Sequence, residues 1–435
     1  MFMQFYMETN FKDTEIGKIP EDWEVVRLGD KEIAEIRKNK SINSVDEVAF
    51  ISMELIPDSE MYVKFEIRKL EDVRSFTYCE AGDLLLAKIT PCFENGKQGI
   101  VPDDIPNGFA LATTEVFPIT CRRIDRLFLF YVLKHPRFRK ILEYSMRGTT
   151  GRKRVPKEAV ENLIIPYPPL PEQRKIAEIL STVDQAIQKT DEIIAKTERL
   201  KKGLMQELLS GRVRVKVENG KVSFYRETRF RDTEIGKVPE DWEVVRLGDK
   251  DVAEIIMGQS PPSSTYNNTG EGLPFLQGKT EFGEIYPSPS IYCSKPIKIA
   301  EPNDILLSVR APVGDVNIAP FRCCIGRGLA AIRPKNNKLN YLFLFYYLKF
   351  NGRKFEIISS GSTFKAIRKE DIENYLIPLP PLDEQKIIAE ILQTVDKKLE
   401  IERKEKEKLE RIKKGLMDVL LTGKVRVKVN EQSGT

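Results

Sequence analysis

The sequence predicts an α+β protein with a pseudo-two-fold internal repeat, in which two long antiparallel helices form a coiled coil and join two globular α/β domains. Three observations predict it. The chain of 435 residues is long enough for several domains. Its two halves share repeated segments. Each half also changes from short strand and helix patterns to a long proline-free stretch with a heptad pattern.

The repeat consists of constant segments around a variable insert. Residues 14–29 and 233–248 differ at one of 16 positions, with an offset of 219, and include both tryptophans. Four later pairs of segments match at an offset of 212. They are 168–173 and 380–385, 177–180 and 389–392, 201–205 and 413–417, and 211–217 and 423–429. Residues 30–120 and 249–333 share little, so two copies of one frame carry different inserts.

Each half has the same predicted order of elements. A strand opens it, at 22–28 or 241–247, and short apolar runs bounded by turn residues predict further strands. An apolar helix with an LFLFY segment follows, and its aromatic side chains are predicted to lie in the core. A loop and a short helix come next. The predicted strands are 83–89, 111–119, 304–309 and 328–333, and the predicted helices are 127–144, 157–162, 342–358 and 369–374.

A long helix is predicted at the end of each half. The first runs from Glu172 to about Leu209, which is roughly 57 Å at 1.5 Å per residue. Apolar residues recur with heptad spacing, interrupted by Thr190, Thr197 and Lys201. A single helix with such a stripe is marginal in water, so we expect the two helices to pair. An antiparallel pair places the C-terminal tail beside the first globular domain.

These patterns give four predicted regions. Residues 1–165 form the first globular domain and 166–217 the first spacer helix. Residues 218–377 form the second globular domain, and 378–435 the second spacer helix with the C-terminal tail.

Composition and motifs argue against several classes of protein. A single histidine, His135, disfavours histidine-based zinc sites and Ser-His-Asp catalysis. P-loop, GxSxG, HExxH and GxGxxG motifs are absent. No run of 18 apolar residues predicts a membrane span, and the first residues do not resemble a signal peptide, so we expect a cytoplasmic protein. The net charge of +5 permits local basic surfaces.

Basic clusters are the candidate nucleic-acid contacts. Five cations lie within residues 147–157 among glycines and threonines, whose backbone N–H and hydroxyl groups suit phosphate. A similar loop begins at Gly361. Lys88 and Arg310 follow the ILL-type strands and could reach base edges, and a third patch lies at 37–40. The alternative interpretation is a solvated loop for the two cationic loops, a surface charge that caps a strand for Lys88 and Arg310, and a solvated face for the patch at 37–40. The candidate residues are Arg37, Lys38, Lys88, Arg147, Thr149, Thr150, Arg152, Lys153, Arg154, Arg310, Ser362, Thr363, Lys365 and Arg368.

The PEDWEVVRLG opening, the GDLLL strand, the GTT or GST loop and the PPLPEQRKIAEIL and PPLDEQKIIAEIL segments together resemble the specificity subunit of type I restriction–modification systems. The resemblance covers nearly the whole chain. It implies two target-recognition domains that each read one half of a split, asymmetric site in double-stranded DNA. It also implies two docked methyltransferase subunits and additional restriction/translocase subunits. The chain itself would be non-catalytic and would bind no cofactor, since S-adenosylmethionine, Mg²⁺ and ATP would belong to the partners.

Three alternatives remain open on the sequence alone. The first is a solitary DNA-binding protein of the same architecture. The second is a protein scaffold whose domains bind peptides, which sequence-specific binding to duplex DNA would contradict. The third is a self-contained methyltransferase, which failure to bind S-adenosylmethionine would exclude.

Overall fold

The computed structural model describes residues 5–42, 45–149, 151–218, 220–335, 337–352, 354–355, 357 and 366–428. The chain forms two compact units, and each contains part of both long helices. Unit 1 comprises Met1–Glu192 and Arg403–Thr435, and unit 2 comprises Ile193–Glu402. The α+β architecture, the long helices and the internal repeat are confirmed.

Unit 1 contains most of the strands and short helices of the first half, together with the C-terminal strand. Its helices are α1 (Arg126–Lys134), α2 (Pro136–Tyr144), α3 (Lys157–Glu161), the first part of α4 (Leu170–Leu209) and the last part of α7 (Leu382–Leu420). Its strands are β1 (Phe5–Met7), β2 (Phe11–Thr14), β3 (Gly17–Pro20), β4 (Glu24–Arg27), β5 (Ala34–Ile36), β6 (Glu47–Ile51), β7 (Glu66–Lys69), β8 (Thr77–Glu80), β9 (Leu84–Ala87), β10 (Gln98–Ile100), β11 (Phe109–Ala112), β12 (Val116–Cys121), β13 (Ile164–Tyr167) and β29 (Val425–Val427).

Two four-stranded sheets form the centre of unit 1. Their strand orders are β10-β9-β12-β5 and β7-β6-β11-β8. Strand β9 is buried on both faces, because Leu84 and Leu86 pack in the core that contains α1 while Leu85 packs in a second core. This explains why its sequence is continuously apolar rather than alternating. The smaller sheets pair β2 with β3, β4 with β13 and β1 with β29.

The predicted helix 127–144 is wrong in one respect, because it is two helices. Asp125 caps α1 by accepting hydrogen bonds from the backbone N–H groups of Leu127 and Phe128, both at 3.0 Å. The chain becomes extended at His135, since the following Pro136 disfavours a helical conformation there. The predicted core position of the LFLFY segment is confirmed, since residues 128–133 are all buried.

Unit 2 repeats this arrangement. Its helices are α5 (Tyr341–Asn351), α6 (Lys369–Glu373), the last part of α4 and the first part of α7. Its strands are β14 (Val213–Glu218), β15 (Lys221–Arg226), β16 (Phe230–Thr233), β17 (Gly236–Pro239), β18 (Glu243–Arg246), β19 (Ala253–Met257), β20 (Tyr266–Asn267), β21 (Leu273–Leu276), β22 (Ile291–Cys293), β23 (Ile299–Ala300), β24 (Ile305–Ser308), β25 (Val316–Ile318), β26 (Cys323–Ile325), β27 (Leu329–Pro334) and β28 (Leu376–Leu379). The larger sheets have the orders β19-β27-β24-β25 and β20-β22-β21-β26-β23. Part of the predicted helix 342–358 falls outside the described residues.

Two ion pairs show that α4 and α7 run antiparallel in unit 1. In unit 1, Asp184 pairs with Lys413 at 2.5 Å and Asp191 with Lys406 at 2.6 Å, so residue numbers rise along one helix as they fall along the other. In unit 2, Lys201 pairs with Asp396. The repeat offset of 212 relates this pair to Asp184–Lys413. Lys201, which interrupts the predicted heptad stripe, therefore contributes a salt bridge between the helices.

A buried charge cluster fastens the C-terminal strand in unit 1. Arg426 donates from Nε and Nη2 to Glu172 at 2.7 and 2.8 Å, from Nη1 and Nη2 to Asp22 at 2.8 Å, and from Nη1 to Glu8 at 2.7 Å. The indole of Trp23, which is fully buried, donates to the same Glu172 at 3.0 Å. Strand β29, which carries Arg426, pairs with β1, so the C-terminal strand lies beside the N-terminal strand as antiparallel helices predict.

The same cluster recurs in unit 2. Arg214 pairs with Glu384 at 2.7 Å, with Glu227 at 2.7 Å and with Asp241 at 2.8 Å. Trp242 donates to Glu384 at 3.2 Å. Each cluster therefore joins the start of a long helix, an opening strand segment and a strand that follows the end of a long helix, which explains why these segments are constant in both copies.

Substitution of Gly203 or Gly415 by alanine is expected to stabilise the protein. Both glycines lie within the long helices, and an added Cβ would meet no atom within 4 Å. Glycine costs about 1 kcal/mol relative to alanine inside a helix, so each change should raise the free energy of unfolding by about that amount. Guanidinium denaturation measures it. As a matched control, Gly211→Ala should destabilise, because its φ is +70° and a Cβ would lie 2.4 Å from Pro239 Cγ.

Among the described residues, every helix is too short or too polar to cross a membrane.

Candidate nucleic-acid interface

The predicted cationic loop of unit 1 is the tip of a β-hairpin. Arg147 and Arg154 exchange two backbone hydrogen bonds of 2.9 and 2.8 Å, and Arg152 N–H donates to the Thr149 carbonyl at 3.0 Å. Gly148 has a φ of +131°, and a Cβ there would lie 2.8 Å from the Arg152 carbonyl oxygen. Only glycine permits this close turn. Thr149 lies at the tip, whereas the candidate Thr150 is outside the described residues.

This hairpin is fixed to the end of β9. Val155 N–H donates to the Lys88 carbonyl at 2.8 Å, and Thr90 N–H donates to the Lys153 carbonyl at 3.0 Å. Arg154 thereby lies opposite Ile89 on one side and Arg147 on the other. The structure thus brings together six of the predicted contacts, which are Lys88, Arg147, Thr149, Arg152, Lys153 and Arg154.

The cations of this hairpin have different surroundings. Arg152 and Lys153 are exposed and form no ion pair within the described part of the chain. Arg154 is held by Glu115, with Nε to Oε2 at 2.9 Å and Nη2 to Oε1 at 2.7 Å. These hydrogen bonds from Arg154 lower the pKa of Glu115. Of these three cations, Arg152 and Lys153 have no carboxylate partner among the described residues, and Arg154 has a fixed orientation.

Lys88 is half-buried beside this pair. Its ammonium lies 5.2 Å from the centre of the Phe117 ring, and burial lowers its pKa. It forms no ion pair with another described residue, although the Glu115 carboxylate is close enough to favour its charged form. A partly desolvated cation of this kind gains more from an arriving acceptor than a fully hydrated one does.

Unit 2 has the same backbone hydrogen bonds around the end of β24 as unit 1 has around the end of β9, and we call this shared arrangement the backbone frame. The side chains on it differ between the units. Ile367 N–H donates to the Val309 carbonyl at 3.0 Å, just as Val155 donates to Lys88. Arg310 lies opposite Ala366, as Ile89 lies opposite Arg154. Arg310 and Arg368 are exposed, and the backbone N–H of Arg368 donates to Asp371 at 2.8 Å at the start of α6. The candidates Ser362, Thr363 and Lys365 lie outside the described residues.

Arg37 and Lys38 are apart from the hairpin. Arg37 pairs with Glu80 at 2.8 Å and with Asp83, which is 2% exposed, at 2.5 Å. Asp83 precedes the four-residue strand β9 and Lys88 follows it, which separates these two ends by roughly 16 Å at about 3.3 Å per residue. Lys38 is exposed beside Arg37.

The Arg37 ion pair has a counterpart in unit 2. Asp304 is equally buried and pairs with Arg333 at 2.8 Å, from a different strand of the sheet. A buried aspartate at this position thus receives an arginine partner in both units, which indicates that the Arg37 pair stabilises the fold. Its DNA contact stays a prediction.

Sequence reasoning missed Glu115 as part of this site. It lies 39 residues before Arg154 in the chain, between β11 and β12, and no local motif connects the two. The Lys88 N–H donates to the Glu115 carbonyl at 3.0 Å, and the equivalent bond in unit 2 runs from Val309 to Gly328 at 2.9 Å. No sequence signal connects Glu115 with Arg154, because unit 2 has Gly328 and Ala366 at the equivalent positions.

Comparison with known proteins identifies the family. The model of the type I restriction modification DNA specificity domain matches residues 20–199 and 239–411. A putative type I restriction enzyme specificity subunit of Methanocaldococcus jannaschii, MjaX, is 43% identical and the match covers 98% of this chain and 99% of that protein. The MjaVIII specificity subunit of the same organism is 33% identical over the same shares.

Solved structures agree with this result. A chain from a study of complex assembly and conformational transition of the type I R-M system is 31% identical, with a TM-score of 0.56 over 94% of this chain and 99% of that one. The S subunit of a type I restriction-modification system from M. genitalium is 16% identical with a TM-score of 0.58, over 92% and 96% of the two chains, and shows the fold alone. The chain belongs to the type I restriction modification DNA specificity family, and it is a specificity subunit of that family.

Proposed function

We propose that this chain reads a two-part, asymmetric site in double-stranded DNA for a type I restriction–modification complex. The observation that carries the proposal is one backbone frame, present in both units, with different exposed side chains at equivalent positions. The equivalent backbone frames indicate that both units bind DNA in the same way. The different side chains indicate that the two units recognise different half-site sequences.

The hairpin of unit 1 supplies the first contact surface. Arg152 and Lys153 contact phosphates, since exposed cations at a glycine-containing tip, without an ion-pair partner among the residues that the structure describes, fit a phosphate backbone. In unit 2, Arg310 lies opposite Ala366, at the position that Ile89 has in unit 1, and Arg368 at the start of α6 is a second exposed cation. Ser362, Thr363 and Lys365 remain candidates from the sequence alone.

The partners follow from the family and from the repeat. Specificity subunits named for type I restriction enzymes match this chain over nearly its whole length. We infer docking of two methyltransferase subunits, because constant segments occur twice, and association with restriction/translocase subunits. The chain itself performs no catalysis, and it binds DNA in the cytoplasm. The long helices act as a spacer that sets the gap between the two half-sites.

In vitro selection tests the proposal. The chain is co-expressed with a type I methyltransferase subunit from the same genome, and the purified complex selects duplexes from a random library. Two short specified sequences separated by a fixed unspecified gap are expected. Selection of no sequence, with unchanged binding to any duplex, would contradict site-specific reading.

Replacing Arg152 and Lys153 with alanine is expected to weaken binding to specific and nonspecific duplexes alike. Each lost phosphate contact should reduce the slope of log K against log salt concentration by about 0.9, because fewer counterions are released. A salt titration from about 50 to 200 mM measures this. Lys189, an exposed cation on α4, gives the control variant Lys189→Ala, for which we expect the original slope. An unchanged slope in the double variant would remove the hairpin from the interface.

A further inference from the structure

We propose that Arg154 reads a guanine in the half-site of unit 1 and that Glu115 is the residue that positions it. This inference rests on the proposed function and assigns two side chains within it. Arg154 thereby differs from its neighbours Arg152 and Lys153, which contact the backbone of the duplex.

The hydrogen bonds of Arg154 leave two of its donors available for a guanine. A guanidinium has five N–H donors arranged on fixed edges. Glu115 occupies the edge formed by Nε and one N–H of Nη2. The other edge, formed by Nη1 and the second N–H of Nη2, has no partner within the described part of the chain. That edge presents two parallel donors, which match the O6 and N7 acceptors of guanine in the major groove.

Arg154 and Glu115 are both held in place by backbone hydrogen bonds. Arg154 is in the middle of three hydrogen-bonded backbone segments, between Arg147 and Ile89, so its backbone is fixed on both sides. Glu115 is fixed in turn because its carbonyl accepts from Lys88 N–H. An arginine whose backbone and one donor edge are both fixed loses little freedom on binding, which favours recognition of one base over loose contact with a phosphate.

The comparison of the two units gives further support. The frame places Arg154 and Glu115 where unit 2 has Ala366 and Gly328. The arginine and its carboxylate are therefore present together in one unit and absent together in the other. Residues that read one particular half-site are expected in one unit only. Residues that stabilise the backbone arrangement common to both units would occur in both.

Base-substitution scanning with variants tests the inference. The full chain is co-expressed with the methyltransferase subunit, and competition binding compares the selected duplex with duplexes that carry each single base-pair change. For the parent chain, discrimination of about 5- to 150-fold is expected at the guanine position. Arg154→Ala should remove that discrimination at one position in one half-site, and the other half-site should keep its full preference.

Glu115→Gln tests the positioning role while the Arg154 cation is kept. It should reduce the preference at the same position as Arg154→Ala, without weakening the binding of nonspecific DNA and with an unchanged melting temperature. Arg152→Ala is the matched control on the same hairpin and should lower affinity for all duplexes without changing any preference.

Uniformly weaker binding of Arg154→Ala with all base preferences retained would make Arg154 a phosphate contact and overturn the inference. A Glu115→Gln variant with the full preference would overturn the positioning role. If the parent complex selects no two-part site, the proposed function itself fails, and this inference fails with it.

Discussion

Replacing Arg426 with alanine is expected to lower the free energy of unfolding of unit 1 by about 3–5 kcal/mol. The Arg426 and Glu172 side chains are 7% and 5% exposed, so the variant leaves a buried carboxylate without its cation. The loss also removes the side chain that joins β29 to the start of α4. Guanidinium denaturation, followed by the fluorescence of Trp23 in a Trp242→Phe background, measures the stability of unit 1 specifically.

Two further variants make this experiment decisive. Arg27 is exposed in the same unit, and Arg27→Ala should change stability by less than about 0.5 kcal/mol. Arg426→Ala combined with Glu172→Gln should recover part of the loss, since the buried charge is gone and the amide oxygen of the substituted side chain can still accept from Trp23. A decrease below about 1 kcal/mol for Arg426→Ala alone would contradict the structural role of the cluster.

Lengthening both long helices by one heptad is expected to widen the gap in the DNA site by about three base pairs. Seven residues add about 10.5 Å at 1.5 Å per residue, and base pairs are stacked about 3.4 Å apart. One insertion after Glu192 and one after Lys404 preserve the antiparallel register, because Asp184–Lys413 and Lys201–Asp396 remain opposite each other. Selection of bound duplexes from a random library measures the new gap.

The two half-sites should be unchanged in this variant, because neither the hairpin of unit 1 nor Arg310 and Arg368 of unit 2 are altered. A matched control lengthens α4 alone, which disrupts the register of the ion pairs and should abolish selection of a two-part site. If the doubly lengthened chain selects the original gap, the helices do not set the spacing of the half-sites.

The architecture was accessible from the sequence because it depends on repeated local signals. The constant segments, the heptad stripe and the apolar LFLFY segments each reflect a local rule of helix or strand formation. The broken helix at His135 was also accessible, since Pro136 carries the signal, but the apolar pattern alone favoured one continuous helix. The structure explains why these segments are repeated, since Glu172, Trp23 and Arg426 lie in the repeated segments and contact one another in one buried cluster.

The candidate site was only partly accessible. A local run of cations in glycine-containing sequence predicted the hairpin, and the hairpin with the adjoining end of β9 brings six of the candidate residues together. Glu115 was missed because its pairing with Arg154 depends on strand register over 39 residues. Arg37 also shows the limit of charge patterns, since its partner Asp83 is distant in sequence and buried. Local charge therefore predicts where cations occur, and tertiary pairing decides which of them remain available for DNA.

Mapping of methylated bases in cells tests the central claim most directly. The chain is co-expressed with a type I methyltransferase subunit from the same genome, in a host without other methyltransferases, and methylated positions are mapped across the host genome. We predict methylation at one two-part asymmetric motif with a fixed gap, and none when the methyltransferase is expressed alone. Methylation that does not depend on this chain, or that follows a continuous motif without a gap, would contradict its role as the reader of a two-part DNA site.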